Sequence, residues 1–142
     1  MAKKQVFLDT DVIISSLLST QGAAYSLIHQ TKVDRIISLW VREEVVEVAK
    51  RLNLDNPSVV LDQCRVVGLE LAKEVMVETY GEYVTDDQDA HVVAGAVVSK
   101  VKFLLTYNHK HYRVESIRQD LGLLILRPGE FLQFLRSQGE FN

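Results

Sequence analysis

Apolar residues along this chain fall into short bursts whose period changes from one burst to the next. Gln5 to Asp9 reads QVFLD, and its three consecutive apolar residues, Val6, Phe7 and Leu8, predict a strand covered on both faces. From Asp11 to about Ser19 the spacing is helical, and Gly22 separates that helix from a second one near Ala23 to Thr31. RIISLW predicts strand two, ending near Ser38. A helix from about Trp40 to Leu52 follows, with Val41, Val45, Val48 and Leu52 along one face. DNPS opens the next helix, with Asn56 as N-cap and Pro57 at the first helical position, and the pattern runs on to about Glu74. VMVET reads as a short strand. Thr85 to Gln88, TDDQ, has the form of a capping box ahead of a helix to about Lys100. KFLLTY is a strand, His109 to Leu121 a short helix stopped by Gly122, LLILRP the last strand and GEFLQFLRSQ a closing helix.

Strands alternating with helices predict an α/β protein, a three-layer α/β/α sandwich around a mainly parallel sheet. The 142 residues suit a single domain over 1–142, with no internal repeat, low-complexity tract or linker. In sheets of this kind ligands bind outside the carboxyl ends of the strands. Functional residues are therefore expected after the first, second and KFLLT strands and at the start of the helix near 85.

Composition narrows the class. A hydrophobic content of 47% and a charged content of 25% are those of an ordinary globular protein. No apolar run approaches the roughly 20 residues of a membrane-spanning helix. The start, MAKKQVFLD, has only a three-residue apolar stretch, unlike the core of a secretion signal. A single cysteine, Cys64, excludes an internal disulfide framework and suits a reducing cytoplasm; it reads most simply as a small buried hydrophobe. With a net charge of -3 the chain has no global basic field, which argues against a simple DNA-binding module. An enzyme that meets phosphates through bound cations stays open.

The acids then matter individually. Asp9 and Asp11 end the first strand, where they can cap a helix, form a nucleophilic Asp-x-Asp pair, or begin a divalent-metal site. At about 100° per residue, Glu44 lies some 60° from the apolar stripe of its helix, while Glu43 points nearly the opposite way. On the helix beginning near 86, Val92, Val93, Ala96 and Val97 form the stripe, Asp89 lies in line with it, Asp86 flanks it and Asp87 faces away. His91 falls opposite the stripe and is expected at the surface. A carboxylate at the end of a buried face needs cations or donors, and the helix N-terminus supplies part of both. Thr106 and Asn108, in LLTYNHK, again follow an apolar run. Asp9, Glu44, Asp89 and Thr106/Asn108 thus gather on one edge. Oxygen donors without histidine or cysteine suit Mg²⁺ or Mn²⁺, with metal-activated water attacking a phosphodiester. His109, Lys110, His111 and Arg113, with Lys100 and Lys102, are the candidates for a basic rim that meets phosphates.

Taken in order, VFLDTDVIIS, IISLWVREEVVEVAKRL, DDQDAHVVAGA, FLLTYNHKHY and ILRPGEFL resemble the successive blocks of the PIN-domain family. These are metal-dependent ribonucleases that include the toxins of many type II toxin–antitoxin pairs. The resemblance implies Asp9, Glu44 and Asp89 as catalytic metal ligands, with Asp86 and Asn108 as further ligands and Asp11 and Thr106 as accessory residues. It also implies Mg²⁺ or Mn²⁺ as cofactor, RNA as substrate, a homodimer and an antitoxin partner. Lys110, His111 and Arg113 would contact the RNA. Two positions depart from the family pattern: Asp11 stands where Asn is frequent, and Asn108 where Asp is frequent, which removes a negative charge from a second metal position.

Three other readings compete. LDTDV also resembles the nucleophile motif of haloacid-dehalogenase-type phosphatases, with Asp9 attacking phosphorus and Asp11 as acid/base. Ile13, the absence of a strand-ending Ser/Thr with a following motif Lys, and the short chain argue against it. A signalling receiver domain needs a phospho-accepting Asp after the third strand, but Asp55 follows a helix. A PIN-like fold kept as an interaction module, silenced by Asn108, is the non-enzymatic alternative.

Overall fold

The computed structural model describes residues 3–139. Five strands form one wholly parallel sheet: β1 (Lys4–Leu8), β2 (Val33–Ser38), β3 (Arg65–Val67), β4 (Phe103–Leu105) and β5 (Leu124–Leu126), in the spatial order β3-β2-β1-β4-β5. Eight helices connect and flank them: α1 (Thr10–Leu18), α2 (Ala23–Ile28), α3 (Leu39–Arg51), α4 (Ser58–Leu61), α5 (Lys73–Tyr80), α6 (Ala90–Val98), α7 (Val114–Leu121) and α8 (Pro128–Ser137). The α/β class and the parallel sheet expected from the alternating pattern are therefore what the chain forms. Among the described residues no helix is long and apolar enough to cross a membrane.

The central strand explains the rest. Val6, Phe7 and Leu8 are completely buried, because helices cover the sheet on both faces and each residue of β1 meets one of them. Phe7 sets the depth of α6. Its ring lies against Gly95, where an added Cβ would stand 2.4 Å from Phe7 Cζ, closer than any side chain tolerates. Only glycine lets α6 settle this low on the sheet. The order 3-2-1-4-5 reverses its winding between β1 and β4, so a crevice opens beyond the carboxyl ends of those two strands. Leu8 leads to Asp9 and Leu105 to Thr106 on its two sides, and the Asp9 N–H still donates to the Leu105 carbonyl at 3.0 Å.

Two expectations fail in the stretch after α3. The long helix from Asn56 to Glu74 is instead the single turn α4 followed by β3, and VMVET belongs to α5. β3 has only three residues, two of them exposed, so its periodicity is too short to separate from a helical one. It is recognised in space: Arg65 pairs with Asp34 of β2, tying the short edge strand to its neighbour. In α5 only Met76 is buried, while the flanking valines are not, so the run of apolar letters does not mark a covered strand. Asn56 has a positive φ of 56° rather than the extended backbone of an N-cap, and its Oδ1 accepts from the Ser58 hydroxyl.

Candidate functional site: an acidic cleft at the switch point

Asp9 is the N-cap residue of α1, with Oδ1 accepting from the Thr10 N–H at 2.7 Å. Its Oδ2 accepts from the Tyr112 hydroxyl at 2.6 Å and lies 3.0 Å from the Thr106 hydroxyl. Burial pushes the Asp9 carboxyl up, against the pull of Tyr112, Thr106 and Thr10. Of the two acids in the opening Asp-x-Asp, Asp9 and not Asp11 occupies the cap. Asp11 sits in the first turn, where Oδ2 accepts from the Tyr107 N–H at 3.1 Å and lies 3.2 Å from the Thr106 hydroxyl. Thr106 has one proton to give, so Asp9 and Asp11 compete for it. The other oxygen of Asp11, Oδ1, is buried without a partner. Burial and the charge of Asp9 raise the Asp11 carboxyl to about 7.

Thr106 itself is fully buried and accepts from the Asn108 N–H at 3.1 Å, which folds the chain back at the end of β4. That turn brings Asn108 to the cleft. After it come the 3-10 turn His109–His111 and a short antiparallel contact, Val84 against Tyr112, reinforced by Thr85 N–H to the His111 carbonyl and Arg113 N–H to the Tyr83 carbonyl. This contact holds the segment leading into α6 beside the segment leaving β4. Asp89 and His111 are consequently close, with Oδ2 to Nδ1 at 3.6 Å. Burial and the charge of Asp9 raise the Asp89 carboxyl to about 6, with His111 pulling the other way.

Glu44 reaches the same cleft from α3. Its Oε1 accepts from the Thr10 hydroxyl at 2.8 Å and lies 3.2 Å from His91 Nε2. Burial pushes this carboxyl up, but His91 and Thr10 together outweigh it and leave Glu44 below the ordinary range. The cleft, about 290 Å³, is lined by Asp9, Asp11, Glu44 and Asp89 together with Thr10, Asn108 and His111, and by no lysine or arginine. Among the described residues no three acidic, histidine or cysteine side chains stand close enough together to hold one ion as they are.

Several expected residues lie elsewhere. Asp86 does not line the cleft; it caps the 3-10 turn Asp87–Asp89 through Oδ1 and the Gln88 N–H, its carbonyl accepts from the Asp89 N–H at 2.9 Å, and its charge acts on the Asp89 carboxyl. Lys110 and Arg113 are exposed beside His111, outside the lining. Lys100 and Lys102 sit at the other end of β4, in a groove with Lys3 and Lys4, so they form no rim to the cleft.

Three contributors escape the sequence reading. Thr10 and Tyr112 carry no pattern that separates them from ordinary helix-start and loop residues. His91 is only 6% exposed rather than at the surface, because α6 is covered on its far side by α5 and by Trp40. The signal was available in AHVVAGAVV: a helix without a charged residue and apolar all round is a buried one, and a stripe calculation cannot apply to it.

Fold and cleft together define an α/β protein that concentrates carboxylates at the switch point of a parallel sheet. The sequence model described as PIN domain matches residues 5–110, and the chain belongs to the PIN-domain family. Solved structures share the fold. A toxin–antitoxin complex from Klebsiella pneumoniae matches with a TM-score of 0.63 at 20% identity, covering 87% of this chain and 97% of that one. A protein from Pyrobaculum aerophilum matches at 0.61 and 16% identity over 97% and 100%. The VapBC2 complex of Rickettsia felis, bound to a DNA fragment from its promoter, matches at 0.55 and 16% over 87% and 98%. No curated protein matches the sequence at a significant level.

Proposed function

We propose that this chain is a metal-dependent endoribonuclease, with Asp9, Glu44 and Asp89 as the residues that hold Mg²⁺ or Mn²⁺. The observation that carries the reading is a cleft with four carboxylates and no lysine or arginine in its lining, two of those carboxyls raised to about 7 and about 6. A cluster of this kind is costly without a cation, and hard oxygen donors favour these two metals. The bound ion supplies positive charge to a phosphate and a more acidic water.

The chain's own residues provide orientation. Tyr112, Thr106 and the Thr10 N–H fix both oxygens of Asp9, and the Thr10 hydroxyl and His91 fix Glu44, so each carboxylate has a supporting partner that sets its direction. Asn108 offers a neutral carbonyl oxygen at the cleft, Asp86 adds negative charge from its margin, and Asp11 adds more beside Asp9. His111 at the cleft, with exposed Lys110 and Arg113 next to it in the chain, would meet phosphates on one side. The family membership and the likeness to a toxin–antitoxin complex support a toxin role with an antitoxin as protein partner.

One observation favours a second reading: Asn108 leaves the β4 side of the cleft uncharged, which suits a silenced interaction module. Cleavage of a labelled RNA pool separates the two. The proposal expects cuts with Mn²⁺ that disappear in EDTA and in Asp9→Asn. Mn²⁺ binding by calorimetry without cleavage would establish the silenced module instead.

A further inference from the structure

Next to the acidic cleft lies a second cavity, of about 160 Å³, lined by Trp40, Lys73, Met76, Gln88 and His91 and sharing Glu44 with the cleft. From this arrangement we infer a nucleobase subsite: one unpaired base of the RNA strand enters this cavity and stacks on Trp40 while the adjoining phosphate lies in the acidic cleft. The inference rests on the ribonuclease reading and specifies how that site grips its substrate.

Size is the first argument. The cavity is well below the roughly 300 Å³ at which drug-sized pockets begin, so it suits one flat ring system rather than an extended ligand. Its surfaces are the second. Trp40 is half-buried at the start of α3, with His91 stacked against the indole at 5.5 Å and 26°. That contact supports the ring from one side, and the indole also lines the cavity, where it can serve as a stacking platform. Buried Met76 and Ala90 make an apolar floor. Around it stand the groups that a base edge and its backbone need: the exposed Gln88 carboxamide, the exposed Lys73 ammonium for a phosphate, and Asp87 as an acceptor for an exocyclic amine.

His91 gives the third argument. It is more than nine-tenths buried, its Nε2 is engaged with Glu44, and its Nδ1 has no hydrogen-bond partner. That nitrogen is closed off from the cavity, so what the residue lends to the lining is its ring, held between Glu44 and Trp40. The same imidazole touches Glu44 on one side and Trp40 on the other. Base and scissile phosphate would therefore be registered through a single rigid side chain. Recognition of RNA relies on unstacked bases laid on aromatic rings, and this cavity supplies one such ring beside the proposed chemistry.

Trp40 is the only tryptophan in the chain, so its emission reports the subsite directly. The test titrates the full-length protein in Ca²⁺, a hard cation for oxygen ligands used in place of Mg²⁺ or Mn²⁺, with a short single-stranded oligoribonucleotide and with the same backbone carrying abasic riboses. The subsite predicts saturable quenching by the first, and at least fivefold weaker quenching by the second. Trp40→Leu should weaken oligonucleotide binding, followed by polarisation of a labelled strand, by about 5- to 150-fold, and Trp40→Phe should recover most of it. Equal quenching by the abasic strand, or Trp40→Leu binding as tightly as the parent, overturns the inference. So does quenching by an arginine-rich helical peptide in place of RNA, which transfers the cavity to a protein partner. The two readings fail separately: cleavage without quenching removes the subsite and leaves the nuclease, whereas quenching without metal-dependent cleavage does the reverse.

Discussion

Neutralising Asp11 should stabilise the metal-free protein, and should do so only above the acid range. Asp11 is pressed between a buried environment and the charge of Asp9, and its carboxyl is raised to about 7. A carboxyl raised in the folded state binds its proton more tightly there than in the unfolded chain. Its contribution to stability is complete below about pH 4 and is lost as the pH climbs through 7. The displacement from the ordinary value of ~3.9 corresponds to roughly 4 kcal/mol of folded-state cost at pH 8. Asp11→Asn removes that cost but places an amide where Oδ1 has no partner, a penalty of about 1–3 kcal/mol. The net gain is about 2 kcal/mol, or roughly 7 °C in Tm for a chain of this length. Thermal unfolding in EDTA at pH 8 and pH 4.5 measures it. A gain at pH 8 that vanishes at pH 4.5 fits the acidic cleft; an unchanged or lower Tm at pH 8 refutes the repulsion on which the metal proposal leans.

Mutating the supports and the departures tests the remaining reasoning. Tyr112→Phe removes a 2.6 Å hydrogen bond to Asp9 and should lower the RNA cleavage rate about 10- to 100-fold with an unchanged circular dichroism spectrum. Asn108→Asp restores the acid that is frequent in the family and should preserve or raise cleavage at saturating Mn²⁺; a large loss would show that the amide has a positive role. Gly95→Ala drives a methyl into the Phe7 ring and should cost about 1–3 kcal/mol in a denaturant titration, part of which Phe7→Leu returns in the double mutant.

The parts of this protein visible in its sequence are those whose cause is local. Val6 to Leu8 announce a buried strand because three adjacent apolar residues need cover on both faces, and Gly122 announces a helix end through its left-handed backbone, φ 65°. Glu44 is reachable by counting helix phase, because valines pin one face of α3; Asp89 is not, because it stands in the 3-10 turn before a helix buried all round. β3 was hidden because three residues contain no period, and its place is fixed by a partner strand about thirty positions earlier. Asp86 shows that phase gives direction and not distance: it caps the 3-10 turn and stands outside the cleft lining. His91 and Tyr112 were invisible for a different reason. Their roles depend on what packs over them, and neither Trp40 nor Asp9 is near them in the chain.

That last separation bears on how such a protein is made. The hydrogen bonds that orient Asp9 come from Thr106 and Tyr112, 97 and 103 residues further along the chain. During synthesis, Asp9 emerges early and then waits, with neither donor available until most of the polypeptide has been translated and β4 has docked against β1. Fragments ending before Thr106 contain the first carboxylates but not the scaffold that aims them. Under the proposed nuclease function, this order withholds activity until the fold is nearly closed.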